Sequence, residues 1–185
     1  MMMPSETFLW NRFSLREAIY LGFCAAFIII TRIMLLLHLK IPGHAMFFTM
    51  FFLLLARGSV PKTGAATMVG LVTGILSALL GLGKEGPFIA LKFLLPGFIV
   101  DLGGVVYPGL PSSYIACIIV GILASATRFV TFFTVELLIG MEKELILGHA
   151  FFSLTLYVIF GGFGSLMVPP IIRRLKANRL IEDTG

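Results

Sequence analysis

A chain of 185 residues that is 58% hydrophobic and only 12% charged, with a mean hydropathy of +1.04, lies well beyond the roughly half-apolar usage of soluble domains and belongs in a membrane. At about 20 residues per membrane-spanning helix, six crossings with short loops use nearly the whole length, which excludes a soluble catalytic domain. The formal charge of +5 comes from basic residues spread around apolar runs rather than gathered in a patch, so it reads as membrane topology and not as nucleic-acid binding.

The chain opens with a polar lead containing Trp10 and Arg12. The apolar stretch that follows is too long for a cleaved signal, contains Arg32 and lacks a small-x-small pattern. In "SLRE", Ser14 stands three residues before Glu17, the spacing of a capping box, and starts a first span expected over 14–37. After the turn "HLKIPGH", Pro42 suits the first helical turn of a second span, 42–57, because its missing donor costs nothing there. That span is short, about 24 Å at 1.5 Å per residue, so it must thin the bilayer or rely on snorkelling ends.

"RGSVPK" breaks the chain before a third span at 63–82, in which Ala66, Gly70, Gly74 and Ala78 recur at every fourth position and form a face for close helix contact. "GKEGP" separates it from a fourth span at 87–106, and "YPGLPSS" separates that from a fifth at 114–140. "MEKE" precedes a sixth at 145–168, which Pro169 and Pro170 end before the basic tail "RRLKANRL". The expectation is an all-α six-helix membrane bundle forming one domain over 1–185. Arg12, Arg16, Arg57, Lys62, Arg173, Arg174, Lys176 and Arg179 fall on one side, whereas the loops of the other hold only Lys40, Lys84 and Lys143. By the positive-inside rule both termini are cytoplasmic, with the chain in the cell's inner (plasma) membrane.

This orientation gives each polar residue a depth. Arg32, Lys92, Arg128, Glu136 and His149 all fall in the outer half of the bundle. A mid-membrane charge costs at least about 2.5 to 3.5 kcal/mol, so such groups face one another or a watery cavity. Two readings stay open: internal ion pairs and snorkelling side chains, or an outward-facing pocket with excess positive charge for a ligand bearing a carboxylate or other electron-rich group. Asp101, near the inner end of the fourth span, is read as capping a helix end, pairing with Arg57 or Lys62, or standing as a solvated helix-end carboxylate.

Other chemistries find little support. His38 and His44 flank a Pro-Gly turn far in sequence from His149, so no metal site is expected. In "GLGKEG", Glu85 stands where a phosphate-binding loop needs Ser or Thr, which argues against ATP binding. No Ser-His pairing or HExxH pattern points to an enzyme, and no cofactor is expected. Cys24 and Cys117 read as lipid-facing or packing residues rather than a disulfide. The aromatic stretches Phe47 to Phe52 and Phe129 to Phe133 offer rings for stacking or simply lipid-facing bulk.

Six short-looped spans, the glycine-rich third span and "LLPGFIVDLGG" in the fourth resemble the substrate-binding S components of energy-coupling factor (ECF) transporters. The resemblance covers nearly the whole chain and is one of architecture with weak motifs. It implies capture of a small organic micronutrient, a vitamin or precursor, in the outer half of the bundle. It also implies as partners a membrane T component and two ABC ATPases, alongside membrane lipid. In that family small residues four apart on the first helix dock on the T component; here "AIYLGFCAA" supplies Ala18, Gly22 and Ala26, with glycine in place of the middle alanine. The sequence begins "MMMP", which departs from the histidine after the initiator of nickel and cobalt members. Two alternatives stand beside this reading: a small autonomous proton-coupled carrier using Asp101 or Glu136, and a membrane assembly protein that transports nothing.

Overall fold

The computed structural model describes residues 13–38, 43–82, 86–139 and 143–178, and they are helical throughout apart from short connections. The helices are α1 (Leu15–His38), α2 (His44–Ser59), α3 (Ala65–Leu79), α4 (Ile89–Val106), α5 (Tyr114–Ile139), α6 (Lys143–Leu166) and α7 (Val168–Ala177). The first six occupy the six apolar segments of the sequence to within about a turn. Single 3-10 turns at Gly86–Phe88 and Leu110–Ser112 lead into α4 and α5. Four stretches are long and apolar enough to cross a bilayer: Leu15–Met34, Ile89–Val106, Tyr114–Thr134 and Phe151–Ala177. Phe23, Phe27, Ile115, Phe151 and Phe163, among many large apolar residues, face outward, as expected where lipid is the solvent.

The helix ends follow from local chemistry. Ser14 N donates to Glu17 Oε2 at 2.6 Å and Glu17 N donates to Ser14 Oγ at 3.3 Å, the reciprocal capping box expected at the start of α1. α3 stops because Gly81 takes φ +63°, which lets Gly81 N bond Ala78 O and Leu82 N bond Ser77 O, the Schellman closure that a residue with a Cβ disfavours. α2 starts at His44, after Gly43 at φ +101°, so the expected place of Pro42 in its first turn falls outside the described residues. Pro169 and Pro170 end nothing by themselves: they occupy the first turn of α7, where a proline's missing amide is harmless.

Two helix pairs have the most extensive interfaces, α3 with α4 and α5 with α6. In the first, a Cβ on Gly70 would meet the Phe93 carbonyl, one on Gly74 would lie 2.8 Å from the Ala90 Cα, and one on Gly97 would lie 2.6 Å from the Ala66 carbonyl. The small residues expected on the third span thus lie where the two backbones touch, the situation in which a missing side chain permits dispersion and weak Cα–H contacts. The second pair is built by exchange. Gly121 on α5 receives the Ser165 hydroxyl of α6, and Gly161 on α6 receives the Ser125 hydroxyl of α5. Each hydroxyl bonds its own helix one turn back, Ser125 Oγ to Gly121 O at 2.6 Å and Ser165 Oγ to Gly161 O at 2.7 Å, so no buried polar atom of the pair is wasted.

The core runs between these pairs and is lined by Met46, Met50, Leu53, Leu54, Ile89 and Phe93. Cys24 and Cys117 are both free and buried, which makes them packing residues rather than lipid-facing ones. The starts of α1, α3 and α5, the ends of α2, α4 and α6, and all of α7 gather at one pole, called here the basic end. α2 does not reach as far as its neighbours: Gly43 packs on Leu156 and Phe160, about midway along α6.

Candidate functional site

At the basic end the buried charges are paired. Asp101 on α4 is buried and serves two partners. Its Oδ1 lies 3.5 Å from Arg57 Nε of α2. Its two oxygens accept from the first turn of α3: Ala66 N at 3.3 Å, Thr67 N at 2.7 Å and Thr67 Oγ1 at 2.6 Å. A carboxylate there satisfies amides that have no intrahelical partner and meets the positive end of the helix. Of the roles weighed from sequence, capping and pairing with Arg57 both hold, and the solvated carboxylate does not, because three helices close over it. Lys62 pairs instead with Glu17, at 2.7 Å.

In the half of the bundle away from the basic end the cations meet aromatic rings. Phe93 lies on the face of α4 that α3 supports, is 1% exposed, and receives the Arg32 guanidinium from α1 at 5.1 Å and the Arg128 guanidinium from α5 at 5.4 Å, measured to the ring centroid. Arg128 also lies 5.6 Å from the Tyr157 ring of α6, so two rings from different helices hold it, and only 7% of its surface is accessible. A cation over a ring gains about 0.5 to 2 kcal/mol, more when desolvated, and the ring leaves the net positive charge in place. Arg32 has a second engagement: its Nη2 donates to Leu82 O at 3.0 Å, a carbonyl just past the C-terminal closure of α3.

The local backbone fits this use. Pro96, buried within α4, removes the amide that would otherwise bond the Lys92 carbonyl one turn earlier, which loosens the ladder beside Phe93. Thr73 and Ser77, one turn apart on α3, are fully buried and their hydroxyls make no hydrogen bond among the described residues. In an apolar interior that is costly for each group.

Of the residues expected from sequence to bind substrate, the structure brings Arg32 and Arg128 together around one ring. Lys92 is half-buried on α4, next in sequence to Phe93. Glu136 and His149 lie on α5 and α6, and their side chains fall outside the described part. Sequence reasoning missed Phe93 and Tyr157. The aromatic stretches it favoured stack mainly among themselves, Phe129 on Phe133 at 6.1 Å and Phe51 against Phe52 at 5.0 Å. The available signals were the position of Phe93 beside Lys92 and that of Tyr157 inside a helix, away from any loop.

Ala18, Gly22 and Ala26 form an exposed strip on α1. Nothing lies within 4 Å of where a Gly22 Cβ would stand. Ala18 and Gly22 line an apolar groove of about 510 Å³ between α1 and α3, with Leu21, Met68 and Val72. Compared with known protein families, with characterised proteins and with solved structures, the chain shows no significant match to any.

Proposed function

We propose that the chain is the substrate-capture subunit of an ECF-type ATP-driven importer, a six-span protein of the cell's inner (plasma) membrane with both termini cytoplasmic. It binds a small organic, anionic micronutrient, a vitamin or precursor, in the outer half of the bundle, and a T component with two ABC ATPases supplies the energy. One observation carries the reading: Arg32 and Arg128, from two helices, converge on the Phe93 ring of a third. Guanidinium groups held by rings, one buried and one half-buried, suit an anion with a flat apolar part, because the fork binds carboxylate in two parallel hydrogen bonds while the rings stack. The exposed strip of Ala18, Gly22 and Ala26 is the surface at which the T component would approach.

A proton-coupled carrier has fewer residues to rely on. Asp101, one of its two candidate carboxylates, is engaged by Arg57 and the first turn of α3 and serves there to join helices. The test begins with protein purified from its native membrane and mass spectrometry of the small molecules it retains. Arg128→Met should release an anionic molecule that the unaltered protein keeps, while the folded protein persists. Retention at unchanged affinity by Arg128→Met would remove the cluster from the site and sink the reading. Accumulation of the molecule against a gradient in ATP-free vesicles, driven by an imposed proton gradient, would replace the importer with the carrier.

A further inference from the structure

A sizeable cavity lies at the basic end, away from the ring cluster. Its volume is about 630 Å³, and Arg57, Thr63, Gly104, Val105, Ser112 and Lys176 are among its lining residues. The charged residues of that lining are both cationic, Arg57 from the last turn of α2 and Lys176 from α7. Arg57 is a buried guanidinium, its side chain 8% exposed. Its ion pair with Asp101 is long, at 3.5 Å, and Nε makes no hydrogen bond there. Gly104 lets the guanidinium pack directly on the α4 backbone at the cavity wall, since a Cβ there would collide with it. A largely buried arginine that lines a cavity together with a second cation suits an oxyanion.

The depth of the cavity identifies the kind of oxyanion. Three of the four tyrosines, Tyr20, Tyr107 and Tyr114, are exposed around this pole, in the manner of the aromatic belt at a membrane–water boundary. α7 follows the apolar α6 directly and is strongly amphipathic: Val168, Pro169 and Ile172 are buried while Arg173 and Arg174 are exposed. An amphipathic helix of this kind suits a membrane–water boundary. It is held against the bundle by Arg173, whose Nη2 donates to Ser112 O at 2.9 Å and whose guanidinium lies 4.9 Å from the Tyr114 ring. Beside the cations, Val105 and Val106 form an exposed apolar lip, Val106 at 84%. A cation-lined opening at headgroup depth with an apolar edge matches a group that carries a phosphate and an acyl chain.

We infer that the basic-end cavity binds a phosphate oxyanion through Arg57 and Lys176, and that its source is the headgroup of an anionic phospholipid. Basic pockets between membrane helices take such headgroups, each lysine near the surface contributing about 1 kcal/mol. The full-length protein in nanodiscs, read by native mass spectrometry, should retain phosphatidylglycerol about tenfold or more over phosphatidylcholine. Lys176→Gln should weaken phosphatidylglycerol about fivefold. Val105→Trp, which fills the mouth of the cavity from an exposed position without touching Arg57, should weaken it by a similar factor and leave the melting temperature unchanged. A parallel titration with inorganic phosphate separates the sources. Stabilisation by millimolar phosphate, lost in Lys176→Gln and accompanied by no preference between the two lipids, keeps the oxyanion site and assigns it to a soluble phosphate. Equal retention of both lipids together with indifference to phosphate, or a Lys176→Gln protein that binds each probe as before, would overturn the inference.

Discussion

Two buried arginines show how differently one side chain is used in this molecule. Arg57 at the basic end faces a carboxylate, Asp101, which in turn holds the first turn of α3. Arg128 lies between the rings of Phe93 and Tyr157. A carboxylate supplies a counter-charge and fastens helices together, whereas a ring orients a cation from its face. The first arrangement joins α2, α3 and α4; the second brings guanidinium groups of α1 and α5 to one ring of α4. In an apolar medium the first is a fastening, and the second is the arrangement on which the proposed recognition of an anion rests.

The largest effect should come from breaking the fastening. Asp101→Ala strips Arg57 of its counter-charge and α3 of its N-terminal acceptors. Removing one partner of a buried pair costs about 3 to 5 kcal/mol, so the detergent-solubilised protein should melt far below the unaltered one. Adding Arg57→Met should recover part of that loss, because the uncompensated buried charge is then gone. A single mutant that melts within a degree or two of the parent would mean that the pair holds nothing together.

On the ring side of the comparison, Lys92 adjoins Phe93 and is half-buried. Lys92→Met keeps the stem and removes the charge. If Lys92 adds to the positive field around the ring, affinity for the retained anion should fall about ten- to hundredfold, the equivalent of a charge-assisted hydrogen bond at about 1.5 to 3 kcal/mol, with melting unchanged. Unaltered affinity in a ligand titration would return Lys92 to the role of a snorkelling side chain.

A third change tests whether the ring depends on its backing. Gly70→Val on α3 places methyl groups against the Phe93 carbonyl, and overpacking of this kind costs about 1 to 3 kcal/mol. Both melting temperature and anion affinity should drop, because Phe93 moves with α4. Gly162→Ala is the matched control: its nearest neighbour would be 3.9 Å away, so it should be neutral or stabilise by up to about 1 kcal/mol through helix propensity. If Gly70→Val lowers stability and leaves affinity alone, the ring cluster does not depend on this helix contact.

The helices were legible in the sequence because each break carries Gly, Pro or charge and each run between breaks has almost no polar residue. The every-fourth small residues of α3 likewise announced a close contact, though not with which helix. The exchange between Gly121–Ser125 and Gly161–Ser165 went unread, since a glycine four residues before a serine means little until two such helices are set antiparallel. From its depth alone Asp101 reads as a cap, a partner of Arg57 or Lys62, or a solvated carboxylate, and only the fold reveals that capping and the Arg57 pair apply at once and under cover. For the candidate site, charge against an apolar background exposed Arg32 and Arg128, whereas Phe93 and Tyr157 had no such contrast. In a chain with 18 phenylalanines, the one that organises the cations is set apart by tertiary position and not by type.

The smallest effect on stability should come from Gly22→Leu, and it bears on a third surface, neither fastening nor recognition. Gly22 is exposed, with nothing within 4 Å of its would-be Cβ. The bundle itself therefore gives no reason for a glycine in the middle of α1, where it costs about 1 kcal/mol relative to better helix formers. In the isolated protein Gly22→Leu should leave melting equal or slightly higher, and the Arg128 cluster should keep its anion, because the strip lies on the outer face of α1. If that face meets the backbone of a partner helix, the added side chain separates the two, and uptake in the assembled transporter should fall to background while binding persists. Uptake at the parental rate would leave the Ala18, Gly22 and Ala26 strip as ordinary lipid-facing surface, and the coupling partner would have to be sought elsewhere. Loss of binding together with uptake would instead tie Gly22 to the fold, which the empty space around it argues against.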